Sequence, residues 1–401
     1  MLILRSLLLV FVLGPAVFLE CQAQNAVTRS LFDPDLYTPL NGGFSLTLNS
    51  GDTLAIDTSA LTITRNGVSL GTGVVGNTAG PSPQAVALFT FTNLTIPSGA
   101  TVTITGSRPL GLLARRTMTI GCSLDVSGAW GESAWSTVQS GGTGKAGGGA
   151  GGSAGAGSGG GGAGPGAAPG FAGGNPERSG GGGGHGGAGE SAFSAGGITY
   201  GTASLTDLYG GSGGAGGSGD AGFSGPDYGG AGGAGGGAIL LIAQQQLTAS
   251  GWVYANGGDG GGGSYTYGNG HGGGGSGGSI LMASPNLVAT GARANGGSPG
   301  YDQPSFGSGS LSSGASGGGG RIALYYRDSS PPTLDQFNAD KEDVGLVYIS
   351  PTFGYGVTTS YLPSGTVYRS SVDEPAFVYP SALSISSSPV PGELDPTFSG
   401  D

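Results

Sequence analysis

Charge is the first thing this sequence lacks. Only 9% of its 401 residues are charged, 13 of them Lys or Arg and 24 Asp or Glu. With a net charge of -11 and no basic run, nothing in it would lie along a phosphate backbone or an anionic lipid surface. Nucleic acid and membrane surfaces are therefore not expected partners. Cysteine is nearly absent too, with two in the chain. Cys21 falls in an N-terminal leader, which leaves Cys122 alone between Ile120 and Leu124, a small core filler with no internal disulfide partner. Histidine is equally scarce. His185 and His271 stand inside glycine runs without Cys, Asp or Glu at metal-ligand spacing, and read as residues of solvated loops. No metal and no other cofactor is expected. Beyond the leader, no apolar run is long enough to cross a bilayer.

What fills the space is glycine. The chain holds 93, most of them between residues 141 and 320. Such a block cannot build a helical core, because glycine forms helices poorly and has no side chain to bury. Inside and just after it, one pattern recurs. Gly-Ala-Ile-Leu-Leu-Ile-Ala (237–243) is followed by Leu-Thr-Ala-Ser-Gly-Trp-Val-Tyr-Ala-Asn-Gly-Gly (247–258) and a glycine run. Gly-Ser-Ile-Leu-Met-Ala-Ser (278–284) is followed by Leu-Val-Ala-Thr-Gly-Ala-Arg-Ala-Asn-Gly-Gly (287–297) and another. Gly-Arg-Ile-Ala-Leu-Tyr-Tyr (320–326) opens a third copy. Ile239, Ile280 and Ile322 hold the same place, at a period of about 41–42 residues, which marks a solenoid or array. The apolar bursts are too short for helices and read as buried strands. Asn256-Gly257 and Asn295-Gly296 tolerate the left-handed backbone of a sharp corner, with each asparagine stacked on its copy.

The chain divides as follows. Residues 1–23 read as a secretory signal peptide: Arg5, an apolar run from Leu7 to Leu19, and small residues at Cys21 and Ala23 that place cleavage before Gln24. A secreted or cell-surface location follows. Residues 24–140 alternate in period two (Phe44, Leu46, Leu48; Leu54, Ile56; Leu61, Ile63; Val102, Ile104) between turn clusters such as Ser50-Gly51-Asp52, Asn66-Gly67 and Pro97-Ser98-Gly99. They read as the N-terminal, strand-rich start of the same solenoid. Residues 141–236 are glycine-rich and of low complexity, with aromatic islands at Phe171, Phe193, Tyr200, Tyr209 and Tyr228. Polyproline-II-like packing is expected for part of that block and disorder for the rest. Residues 237–328 carry the repeats, and 329–401 form a C-terminal region with a few strands and a loose tail. The fold class expected is all-β: a right-handed parallel β-helix or solenoid with long glycine-rich loops, polyproline-II-like or disordered. In that picture, removing part of Gly260 to Gly263 leaves the melting temperature almost unchanged.

The stretches Leu94-Thr-Ile-Pro-Ser-Gly-Ala-Thr-Val102 and Met118-Thr-Ile-Gly-Cys-Ser-Leu-Asp-Val-Ser-Gly128 resemble secreted, glycine-rich bacterial β-solenoid surface proteins. So does Ala-Asn-Gly-Gly followed by Gly-Gly-Gly-Gly-Arg-Ile-Ala-Leu (317–324). The resemblance covers roughly residues 40–330. It implies a cell-surface or extracellular setting and no enzymatic activity.

Chemistry-bearing patterns are sparse. No Gly-x-Gly-x-x-Gly here joins a strand to a helix, and Asp220 and Asp259 begin no calcium-binding nonapeptide series. The one dense acidic group is Asp340, Glu342 and Asp343, which lies beyond the repeats. Arg115-Arg116 reads as a strand edge. A Thr-x-Thr ladder, as ice binding would need, is missing from the repeats. The expected role is a structural or adhesive component of the cell surface or extracellular matrix, without catalysis. The alternatives are a glycan-binding module, with Tyr254, Tyr265 and Tyr267 as stacking residues, and a polysaccharide-acting enzyme using Asp340 or Arg115. Extracellular polysaccharide or cell-surface components are the expected partners.

Overall fold

The computed structural model describes residues 32–40, 43–78, 82–134, 137–156, 158–172, 178–219, 228–263, 270–300, 314–326, 336–339 and 366–371. The leader and the acidic group at 340–343 lie outside them. Within the described residues the protein is all-β, in several sheets, with one short 3-10 turn at Pro34–Leu36. No helix there is long and apolar enough to cross a membrane.

The first part contributes β1 (Leu46–Thr47), β2 (Thr53–Asp57), β3 (Thr62–Arg65), β4 (Val68–Thr72), β5 (Val74–Asn77) and β6 (Ala85–Phe91). It continues with β7 (Leu94–Ile96), β8 (Thr101–Thr105), β9 (Leu110–Ala114), β10 (Thr117–Ile120) and β11 (Leu124–Asp125). The glycine-rich block holds only two-residue strands: β12 (Gly155–Ala156), β13 (Ser158–Gly159), β14 (Phe171–Ala172) and β15 (Ser218–Gly219). Then come β16 (Ala238–Ala243), β17 (Gln246–Tyr254), β18 (Ser279–Ala283), β19 (Asn286–Arg293), β20 (Arg321–Tyr326), β21 (Phe337–Asn338) and β22 (Thr366–Ser371).

Two large, mostly parallel sheets organise them. One runs β22-β20-β18-β16-β9-β6-β5, the other β1-β7-β10-β17-β19-β21, with β11 also on β17. Ile239 pairs with Ile280, and Ile280 with Ile322, so the three isoleucines form one column. The column continues through Leu110 and Ala87 on one side and Val367 on the other. In the second sheet Leu46, Leu94, Met118, Leu247 and Leu287 line up in the same way. Strands far apart in sequence are thus neighbours: β9 lies directly on β16, and the glycine-rich block between them is an excursion.

The two sheets differ in pattern because they differ in burial. Residues 238–243 are apolar throughout and buried throughout, since Ile239 and Leu241 face the core between the sheets while Ala238, Leu240 and Ile242 face a second cluster. That second cluster is closed by Phe32, Leu205 and Leu208. β17 alternates instead, with Leu247, Ala249 and Val253 inward and Thr248, Trp252 and Tyr254 turned outward. Thr47, Thr95, Thr119 and Thr248 make one outward row in this sheet, set mostly outside the repeats. Cys122 is buried in the core, as a filler should be.

A smaller sheet, β4-β3-β2-β8, closes the N-terminal end. Its hairpin turns at Asn66-Gly67, both with positive φ (51° and 79°), the geometry a two-residue turn between twisted strands demands. Asp52 holds that turn: it accepts from Asn49 N at 2.7 Å and Asn66 Nδ2 at 2.7 Å and pairs with Arg65 at 2.6 Å. The Asn49 N–H does most to hold its carboxyl below the ordinary value.

The glycine-rich segments, expected to be polyproline-II-like in part and disordered in part, are packed over several long stretches. Residues 210–219, 229–237, 270–278 and 314–320 are buried along their whole length. Their backbone hydrogen bonds repeat every third residue. Gly230, Gly233 and Gly236 donate to the carbonyls of Gly270, Gly273 and Ser276. Ala231, Ala234 and Gly237 donate to Glu132, Ala129 and Val126, and Gly232 and Gly235 to Gly152 and Gly149. One segment therefore bonds to three neighbours in three directions. Its side chains must be absent for the neighbours to come this close: a Cβ on Gly233 would overlap the Gly258 carbonyl oxygen, and one on Gly275 that of Ala234. Gly260 and Gly261 belong to the same array, donating to Ser298 and Ala231. Trimming 260–263 therefore removes structure, contrary to the reading of that stretch as dispensable.

Candidate functional site

Two groups of polar and aromatic side chains stand out, one buried and one open. The buried one overturns the placing of the histidines in solvated loops, since His185 and His271 are both fully buried. His185 Nδ1 lies 2.9 Å from the Gly277 carbonyl, which fixes Nδ1 as the protonated nitrogen. Its ring sits 4.7 Å from that of Tyr200. The Tyr200 hydroxyl donates to the Gly210 carbonyl and accepts from Ser212 Oγ at 2.9 Å. Arg321 donates to the Tyr200 carbonyl through Nη2 at 2.9 Å. Burial pushes the His185 imidazole down to about 3, with Arg321 adding to the shift, so it is neutral. Burial likewise raises the Tyr200 phenol and, in Asp207, the carboxyl. His185 and Tyr200 spend their bonds on the Gly277 and Gly210 carbonyls of the glycine segments. They act as pegs.

His271 is a second peg, accepting from Gly263 N at Nδ1, 2.7 Å away. The other expected reactive groups are also engaged or outside the description. Arg115 donates to the Tyr37 carbonyl at 2.9 Å and the Pro34 carbonyl at 3.3 Å, tying down the N-terminal turn. Asp340, Glu342 and Asp343 lie outside the described residues, as do Asp220, Tyr265 and Tyr267. No cluster of three His, Cys, Asp or Glu able to hold a metal occurs among the described residues.

The open group is built where β17 and β19 run out into the glycine segments. The alternation of β17 sets Trp252 on the outward face, and an extra β17 residue between Ala249 and Trp252, a bulge opposite β19, brings the tryptophan level with Gly291. Trp252 is paired with Gly291, where a Cβ would sit only 2.7 Å from the indole Cζ3. Glycine at 291 thus makes room for the ring. Two residues on, Tyr254 stacks on Trp252 with 6.0 Å between ring centroids and 9° between planes. Arg293, the partner of Tyr254 across the strands, places its guanidinium 4.8 Å from the Trp252 ring centroid.

Next to this platform lies a groove of about 300 Å³, lined by Ser127, Trp130, Asn256, Asp259, Arg293 and Asn295. Trp130 is 74% exposed. The groove floor is a ladder of side chain to backbone bonds. Asn256 Oδ1 accepts from Asn295 N at 2.9 Å, Asp259 Oδ1 from Ser298 N at 2.8 Å, and Ser127 Oγ from Asn256 N at 3.1 Å. The Asn256 side chain does reach the next copy, at the Asn295 backbone, but Asn256, Gly257, Asn295 and Gly296 all lack a positive φ, so the left-handed corners expected there are not formed. Of the three tyrosines proposed from sequence, Tyr254 is at this site. Trp130, Trp252, Asp259 and Arg293 were missed as its companions, because three separate stretches meet here, the first more than a hundred residues from the other two.

No family model, curated protein or solved structure matches this chain.

Proposed function

We propose that the chain is a secreted structural or adhesive protein of the cell surface or extracellular matrix, without catalytic activity. It is a right-handed parallel β-solenoid, and the glycine-rich segments extend from its coils as polyproline-II-like legs that pack side by side. The observation that carries this reading is the shared register: the Ile239–Ile280–Ile322 column and the Leu247–Leu287 column advance together, one repeat per strand. A period of three in the glycine hydrogen bonds is the period of polyproline II. Such stacking gives a stiff body with a large, weakly charged surface, as a matrix component requires. Secretion rests on the leader at 1–23, and the family setting on the resemblance to glycine-rich β-solenoid surface proteins. The test is to fractionate the native host and sequence the N-terminus of the protein recovered. Protein found outside the cell and beginning at Gln24 supports the reading. Cytosolic protein with residues 1–23 attached overturns it.

A further inference from the structure

We propose that the Trp252–Tyr254 platform and the adjoining groove bind a neutral polysaccharide. The proposal deepens the adhesive reading above by naming what the surface adheres to, and it rests on that reading. Four observations carry it. Trp252 and Tyr254 are partly exposed rings stacked on each other beside the groove, fitted by the gap at Gly291, and Trp130 on the groove's border is 74% exposed. A pyranose has one flat face of C–H groups, which gains by covering such rings while its hydroxyls stay free to bond. Beyond the rings, the groove is lined by groups of both kinds: the Asn256 amide N–H groups, the Ser127 hydroxyl hydrogen and the second Asp259 carboxylate oxygen, which the ladder bonds do not use, and the Arg293 guanidinium. A sugar hydroxyl both donates and accepts, so a lining with both kinds of group suits it.

Length and charge then choose the ligand. From Trp252 to Asp259 the extended chain covers roughly 20 Å at about 3 Å per residue, too long for one sugar ring. Trp130, on a separate stretch of chain, borders the same groove. A linear polymer lying along this strip would touch all three. The groove's charged groups are one carboxylate and one guanidinium, which balance, while the whole chain carries -11. A polyanion is repelled by that net charge and gains nothing in return. A neutral polymer is the chemistry that fits.

The test is affinity electrophoresis of the mature protein through native gels containing soluble mixed-linkage β-glucan, galactomannan or alginate. At least one neutral polymer should retard the wild type, and alginate should not. Trp252→Ala should weaken retardation by about tenfold or more, the loss expected when a stacking ring is removed. Trp130→Ala should weaken it too. Because Trp130 is so exposed, this second variant keeps its fold, which a circular dichroism melt checks. The proposal falls if neither neutral gel retards the wild type, if both folded variants migrate as the wild type does, or if alginate retards it most. The cell-fractionation result stands apart from these outcomes. An extracellular protein that ignores all three gels sinks only the ligand, and a cytosolic protein that binds β-glucan sinks only the location.

Discussion

The sheet stack and the glycine array do the same job with opposite chemistry. In the stack, strands are held at about 4.8 Å by hydrogen bonds in one plane, and cohesion across the plane comes from buried Ile, Leu, Val and Phe. In the array, a segment such as 230–237 bonds outward in three directions, and apart from the methyls of Ala231 and Ala234 nothing but hydrogen stands between neighbouring backbones. The stack suffers when side chains are made polar or smaller. The array suffers when they are made larger. Low sequence complexity here therefore goes with tight order, since a chain of glycines is the one chain whose backbones can pack this closely.

The largest expected effect breaks the stack. Ile280→Asp puts a carboxylate into the middle of a fully buried column, at an expected cost of about 4–5 kcal/mol or more, enough to unfold both sheets in a denaturant melt. Next comes the array. Gly275→Val drives a branched side chain into the Ala234 carbonyl, and a loss of about 3 kcal/mol is expected. Gly51→Ala is its control. That glycine has φ +89° but open space around it, so only the backbone conformation is penalised, by about 1–2 kcal/mol. If Gly275→Val melted no lower than Gly51→Ala, close packing of the glycines would not be what holds the array.

Sequence made the stack legible and the array only in part, for a physical reason. Ile239, Ile280 and Ile322 announce their column by side-chain identity, and Asn66-Gly67 announces its turn by a conformational need that few residues meet. Buried glycines announce neither face nor register, because each looks like any other. A period of three is written only faintly, as in Gly-Gly-Ser-Gly-Gly-Ala-Gly-Gly-Ser (210–218), and is lost where all three positions are glycine. His185 and His271 were misplaced for the same cause: surrounded by glycine they look solvated, yet their neighbours in space are the backbones of other segments. The open site was half legible. Tyr254 was found, but nothing local ties Trp130 to Arg293, and the bulge that brings Trp252 opposite Gly291 shows only in the pairing of β17 with β19.

Acid sharpens the comparison, because the array holds a titratable peg. His185 is driven to about 3 in the folded chain, against about 6.5 in an unfolded one. Above pH 6.5 both states are neutral and the full stability is present. As pH falls below 6.5 the unfolded chain takes up a proton that the folded chain refuses, and stability drops by roughly 1.4 kcal/mol per unit until pH nears 3. Between pH 6.5 and 5 the loss is about 2 kcal/mol. In His185→Asn, which keeps a donor for the Gly277 carbonyl, that part of the slope should vanish. Denaturant midpoints of the two proteins across this range measure the difference, and parallel curves would mean that the imidazole is not sealed in.

The smallest effect probes the seam where stack and array meet. There Asn256 Oδ1 accepts the backbone N–H of Asn295, so one repeat is tied to the next just past its strand. Asn256→Ala removes that acceptor, and because the residue is only half-buried, water takes its place at an expected net cost of about 1 kcal/mol. Asn256→Asp keeps an oxygen at the same place and should restore most of the loss. Equal melting of the two variants would show that the ladder follows the repeats and does not hold them. The strands and the glycine legs would then be joined by backbone pairing alone.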